Sequence, residues 1–91
     1  MADLRRVDVD DLEYDLDQRV IGPDGLPFTG EAIERDANGN VLAIVTYRDG
    51  WKDGPEIHYY PNGQLKAERI YNDEGRLVDV HRYAPDGTRI E

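Results

Sequence analysis

Side chains able to do acid–base or nucleophilic work are few in kind here. The chain has two histidines, His58 and His81, and twenty Asp and Glu residues, but no serine and no cysteine. The usual nucleophiles are therefore missing. His58 and His81 differ in parity, so on strands they face opposite sides of a sheet and cannot share a metal or a proton relay. Paired carboxylates can act as acid and base, as in glycosidases. Among twenty acids such pairs also arise by chance, and a small single sheet offers no deep cleft to perturb their pKa values. The glycines fall at turn spacing, with no G-x-G-x-x-G and no P-loop, so no nucleotide cradle is present. Asp8, Asp10 and Asp11 lack the glycine and terminal glutamate of an EF-hand loop. These residues predict a non-enzymatic protein with no cofactor and no metal.

Binding is the chemistry left. Trp51 sits between two Asp-Gly steps, and Tyr60 is out of phase with the row Tyr47, Tyr59, Tyr71 and Tyr83. Exposed Trp and Tyr are common interface anchors. With their neighbours they define a candidate contact set of Asp49, Trp51, Asp53, Glu56, His58 and Tyr60.

The elements that must position these residues follow from an internal period. Tyr47, Tyr59, Tyr71 and Tyr83 recur every twelve residues, and Gly63, Gly75 and Gly87 follow the last three by four. A twelve-residue unit is one short strand and one tight turn, and two units make the hairpin repeat marked by Gly39, Gly63 and Gly87. The turn triplets are Pro23-Asp24-Gly25, Ala37-Asn38-Gly39, Pro61-Asn62-Gly63, Asp73-Glu74-Gly75 and Pro85-Asp86-Gly87. Each reads as a three-residue hairpin loop, with Asn, Asp or Glu in the middle and glycine in the left-handed position.

Strand-like runs lie between the turns, at 31–36, 41–48, 56–60, 64–71 and 76–84, with a tail at 88–90. Asp49 to Gly54 reads as a longer connection. The fold class is therefore all-β, an antiparallel β-meander of hairpin repeats forming a single twisted sheet. Loops of three residues predict Tyr59 opposite Leu65, Ile57 opposite Ala67 and Tyr71 opposite Leu77. They also place Arg69 opposite Asp79, as an ion pair, and Ala67 opposite His81. On this register odd-numbered residues share the core face: Ile33, Val41, Ala43, Val45, Tyr47, Ile57, Tyr59, Leu65, Ala67, Tyr71, Leu77 and Tyr83. Leu42 and Ile44, on the other face, then need cover from the N-terminal segment, a second copy or a partner.

Residues 1–19 form an acidic segment outside the period, expected to pack on the repeat domain at 20–91. Leu12, Tyr14 and Leu16 alternate with acids, as in a strand. Mimicry of a nucleic-acid backbone by Asp8, Asp10, Asp11, Glu13, Asp15 and Asp17 is one use of its charge, and a solvated acidic edge is the plainer one. Across 91 residues the net charge is −9. That argues against nucleic acid and anionic membranes as partners and suits a basic protein. No apolar leader and no long apolar stretch is seen, so a cytoplasmic location is expected.

The stretch Gly50-Trp51-Lys52-Asp53-Gly54, followed by Tyr59-Tyr60-Pro61-Asn62-Gly63-Gln64-Leu65-Lys66, resembles the MORN-variant repeats of the bacterial YwqK-type antitoxin family. Pro27-Phe28-Thr29-Gly30 resembles the opening of such a repeat, and Gly54 repeats Gly30. The resemblance covers about residues 20 to 90, and Val78 stands where the next glycine is expected. It implies an antitoxin or immunity protein that neutralises a cognate toxin by direct binding. MORN-type repeats also act as scaffolds, so the alternative is an assembly module, possible as a homodimer through open sheet edges.

Overall fold

The computed structural model describes residues 5–90. The first four positions of the acidic segment and residue 91 lie outside the described residues. Strand β1 is Arg6–Asp8, followed by a single 3₁₀ turn at Val9–Asp11. Strands β2 (Glu13–Tyr14) and β3 (Val20–Ile21) form a small antiparallel hairpin. Then come β4 (Gly30–Arg35), β5 (Val41–Arg48), β6 (Trp51–Tyr59), β7 (Leu65–Tyr71) and β8 (Leu77–Arg82). The main sheet has the order β1-β4-β5-β6-β7-β8 and does not close. Strands β4 to β8 are an antiparallel meander, while β1 adds to the β4 edge in parallel. Among the described residues no helix is long and apolar enough to cross a membrane.

The meander is built by one turn chemistry. At Tyr60–Gln64, the Gly63 N–H donates to the Tyr60 carbonyl at 2.9 Å and the Tyr60 N–H to the Gln64 carbonyl at 2.8 Å. Asn62 accepts the Gln64 N–H on its side-chain oxygen at 2.9 Å. Gly63 takes φ 89°, which a Cβ would strain. The loops ending at Gly25, Gly39, Gly75 and Gly87 repeat the glycine bond. Each triplet read from the sequence is thus a turn.

Asp49 to Gly54 is not a long connection. Asp49 and Gly50 have φ 52° and 88°, and Arg48 pairs with Trp51 across them. Positive φ at both central residues makes a two-residue hairpin turn, matched to the strand twist. Trp51 therefore opens β6 instead of sitting in a loop.

Register agrees with the expectation next to the turns and departs from it one step further on. Tyr59 faces Leu65 and Tyr71 faces Leu77. Then Ala67 faces His58, not Ile57, because Lys66 is an extra residue. Leu42 and Val78 are extra in the same way in the neighbouring hairpins. A bulge of one residue shifts every later pair by one and exchanges the two faces of the strand. Arg69 consequently faces Val80, Asp79 faces Ile70, and His81 faces Glu68. The expected Arg69–Asp79 pair is absent: Arg69 lies 3.3 Å from Glu56, and Asp79 lies 3.1 Å from His81.

The odd-numbered core face is likewise corrected. Ala32, Val45, Glu56, Arg69 and Val80 form one row across the front of the sheet, and Ile33, Ile44, Ile57, Glu68 and His81 form one across the back. Val45 and Ala67 are on the front, but Ile33 and Ile57 are on the back. The two histidines do lie on opposite faces.

The main buried cluster is small and sits at the β4–β5 end of the front face, and Ile33 is buried on the back. Phe28 is fully buried with Val20 and Ala32, and Val7, Leu12 and Tyr47 pack around them. Phe28 and Tyr47 have ring centroids 6.2 Å apart. The described part of the acidic segment thus joins the front face through Val7 and Leu12. Arg6–Glu31 at 2.8 Å and Arg35–Asp8 at 2.7 Å tie it to β4. Ile44, on the back, is half-buried.

Candidate functional site

Of the sequence-derived contact residues, the structure gathers Asp49, Trp51 and Asp53 at one end of the sheet. The Asp49-Gly50 turn is fixed from two sides. The Asp49 N–H donates to Thr29 Oγ1 at 2.9 Å, and the Gly50 carbonyl accepts the Val20 N–H at 2.9 Å. Trp51 follows this anchored turn and is 48% exposed. It borders two shallow clefts. One, of about 600 Å³, is lined by Trp51, Lys52, Asp73, Glu74 and Gly75. The other, of about 320 Å³, is lined by Arg48, Asp49, Trp51, Lys52, Asp53 and Asp73. Asp53 contacts Arg48 at 3.8 Å. The β7–β8 turn thus contributes Asp73 and Glu74, which the sequence reading did not include. Nothing local in residue type points to them, since they meet Trp51 through the sheet.

Glu56 and His58 are drawn away from that end, onto the front face. Glu56 is 4% exposed and central to a charged cluster. His58 Nε2 lies 2.6 Å from its Oε2, and Arg69 NH1 3.3 Å from the same atom. Lys52 Nζ is 2.7 Å from Oε1, a charge contact without hydrogen-bond alignment. The same ammonium stands 5.1 Å from the centre of the Tyr71 ring. Burial on its own pushes the Glu56 carboxyl up, but the His58 bond and the Lys52 ammonium outweigh it and lower its pKa to about 2. Burial would lower the Lys52 ammonium, yet Glu56 holds it above the ordinary lysine value. Burial raises the Tyr47 hydroxyl beside them.

This arrangement keeps Glu56 ionised, with hydrogen-bond donors on Oε2 and the Lys52 charge beside Oε1. A carboxylate held so low is a poor proton donor near neutrality. His58 and Glu56 form a carboxylate–imidazole pair, but the chain has no serine or cysteine for such a pair to activate. The cluster locks β6 to β7 across the front row. Among the described residues no His, Asp and Glu group has the arrangement to hold a metal ion.

Tyr60 lies at the opposite end of the sheet from Trp51. Its hydroxyl donates to the Tyr83 carbonyl at 2.8 Å, and Lys66 stands 5.7 Å from its ring centre. It ties the β6–β7 hairpin to the C-terminal one, and Asn62 adds a bond to the Pro85 carbonyl at 3.3 Å. The six residues are thus not one surface. Trp51 and Asp49 are exposed with Asp53 half-buried beside them, while Glu56, His58 and Tyr60 hold strands together.

The family model of the MORN repeat variant matches residues 28–49 and 52–73. The two matches are offset by 24 residues, from 28 to 52, the period that the glycines set. The chain carries two MORN-variant repeats. Each repeat contributes two strands, β4–β5 and β6–β7, and Trp51 stands at the junction between them. No curated protein and no solved structure matches the chain.

Proposed function

We propose that this MORN-repeat protein acts by binding another protein, without catalysis of its own. Its partner is a basic protein, and the reading implied by the antitoxin resemblance is a cognate toxin neutralised by occlusion in the cytoplasm. Repeats of this kind are compatible with an interaction scaffold. The observation that carries the proposal is Trp51, a large aromatic left 48% exposed on an anchored turn. The four carboxylates Asp49, Asp53, Asp73 and Glu74 surround it, with Arg48, Lys52 and Arg76, the last 4.0 Å from Glu74, against them. A preorganised aromatic in an acidic setting suits a basic surface, because charge complementarity steers the encounter and a buried aromatic supplies the affinity.

A self-associating scaffold is the second reading, and both sheet edges speak against strand pairing as its mechanism. One edge is β1, only three residues long. At β8 the Ile90 N–H donates to the Arg82 carbonyl at 2.8 Å, and the Asp79 side chain takes the Val80 N–H at 2.9 Å. Edges blunted in this way resist addition of another strand.

The test is co-expression with each neighbouring gene product, scored for rescued growth and co-purification. Rescue with a stable complex supports neutralisation. If no neighbour is toxic and none co-purifies, the toxin reading is wrong and the scaffold reading takes its place.

A further inference from the structure

The β2–β3 hairpin presents two large apolar side chains to solvent. Leu16, at its tip, is 100% exposed, and Tyr14 is 67% exposed. Leu16 contributes no burial to the fold, so folding does not account for its side chain. The tip is nevertheless ordered by its own bonds. Asp15 Oδ1 accepts the N–H groups of Asp17 and Arg19, each at 2.9 Å, and its Oδ2 accepts Arg19 Nε at 2.8 Å. The Gln18 N–H donates to the Asp15 carbonyl at 3.1 Å, and Gln18 takes φ 69°, the left-handed value that glycine fills in the other three-residue loops. At its base, Val20 is buried in the core and bonded to Gly50, the residue before Trp51.

Two of the hairpin's three carboxylates, Glu13 and Asp17, are unspent. Asp8 and Asp15 are paired with Arg35 and Arg19. Asp10, Asp11, Glu13 and Asp17 have no ion-pair partner among the described residues. An apolar tip with unpaired carboxylates around it complements an apolar pocket with a basic rim. Because the tip is already ordered, little conformational freedom is lost when it docks.

We propose that the hairpin Glu13–Ile21 is a second contact element, a finger that seats Leu16 and Tyr14 in an apolar pocket of the same basic partner. The proposal rests on the partner-binding reading above. Leu16 is the anchor, Tyr14 packs beside it, and Asp17 and Glu13 meet the basic rim.

The experiment uses the full chain and the purified product of the neighbouring gene that co-purifies with it, in an inactivated form. Affinity is measured by calorimetry for the unaltered chain and for Leu16→Ala, Tyr14→Ala and Asp17→Asn, with the thermal midpoint of each as a check on folding. The expected result is a loss of about tenfold or more for Leu16→Ala with an unchanged midpoint. Asp17→Asn is expected to flatten the salt dependence of binding. If Leu16→Ala and Tyr14→Ala both bind like the unaltered chain while Trp51→Ala binds less well, the finger is wrong and the partner reading stands. If the unaltered chain binds no neighbouring product, the partner reading fails and the finger falls with it.

Discussion

Glu56 and Arg69 face each other across β6 and β7, with Arg69 NH1 3.3 Å from Glu56 Oε2. They meet only because Lys66 is an extra residue in β7. Without that bulge, Arg69 would stand a row away. Around this pair Lys52 and His58 complete a buried, charge-compensated carboxylate.

Removing the carboxylate leaves two cations without their partner. Glu56→Ala is expected to cost about 2–4 kcal/mol of folding stability, as for a broken buried ion pair. Urea unfolding followed by tyrosine and tryptophan fluorescence measures this. A midpoint equal to that of the unaltered chain would show that the cluster is not structural.

The same group gives stability a pH dependence. Its pKa falls from the ordinary 4.5 to about 2 on folding. A depressed carboxylate stabilises the fold fully above its unfolded value and loses that contribution as pH falls through the folded one. Stability is therefore expected to decline between about pH 4.5 and 2, by up to about 3 kcal/mol from this residue. Urea midpoints across that range, for the unaltered chain and Glu56→Gln, separate its part from that of the other acids. Equal slopes for the two proteins would contradict the assignment.

Gly30 and Gly54 occupy equivalent places in the two repeats but meet different surroundings. A Cβ on Gly30 would come within 2.3 Å of the Arg5 carbonyl oxygen, whereas at Gly54 the nearest atoms are 3.9 Å away in Thr46. Both have positive φ. Gly54→Ala is expected to cost about 1–2 kcal/mol from backbone strain alone. Gly30→Ala should cost more, because β1 must move off β4. Thermal denaturation of the two variants ranks them, and a reversed order would deny the close packing of β1.

Tyr60 acts inside the fold. Tyr60→Phe removes the hydrogen bond to Tyr83 and is expected to destabilise by about 1 kcal/mol. Partner affinity should stay unchanged, since Trp51 lies at the other end of the sheet. Loss of binding without loss of stability would restore Tyr60 to the contact surface.

The meander was legible in the sequence because its turns depend on residue type. Asn62 and Gly63 carry the chemistry of their loop, and Tyr59 opposite Leu65 follows from loop length. The bulges that follow the turns were not legible. Leu42, Lys66 and Val78 have no shared property that marks an extra residue, so the predicted faces exchanged beyond each turn. That error moved Glu56 and His58 from a supposed contact surface into a structural cluster. Strand β1 is three residues long and pairs in parallel, too short for a period to show. The β2–β3 loop has Gln18 where the other three-residue loops have glycine, which hid it. Trp51 was recognised for its type, although the Asp49-Gly50 turn places it on a strand.

Binding through Trp51 is the centre of the account, and one measurement tests it most directly. The affinity of the co-purified partner is compared for the unaltered chain and Trp51→Ala, at low and at physiological salt. Truncating the anchor is expected to cost about 2 kcal/mol or more with little change in thermal midpoint, and binding by the unaltered chain should weaken as salt rises. Equal affinity for the two chains, or binding indifferent to salt, would contradict it.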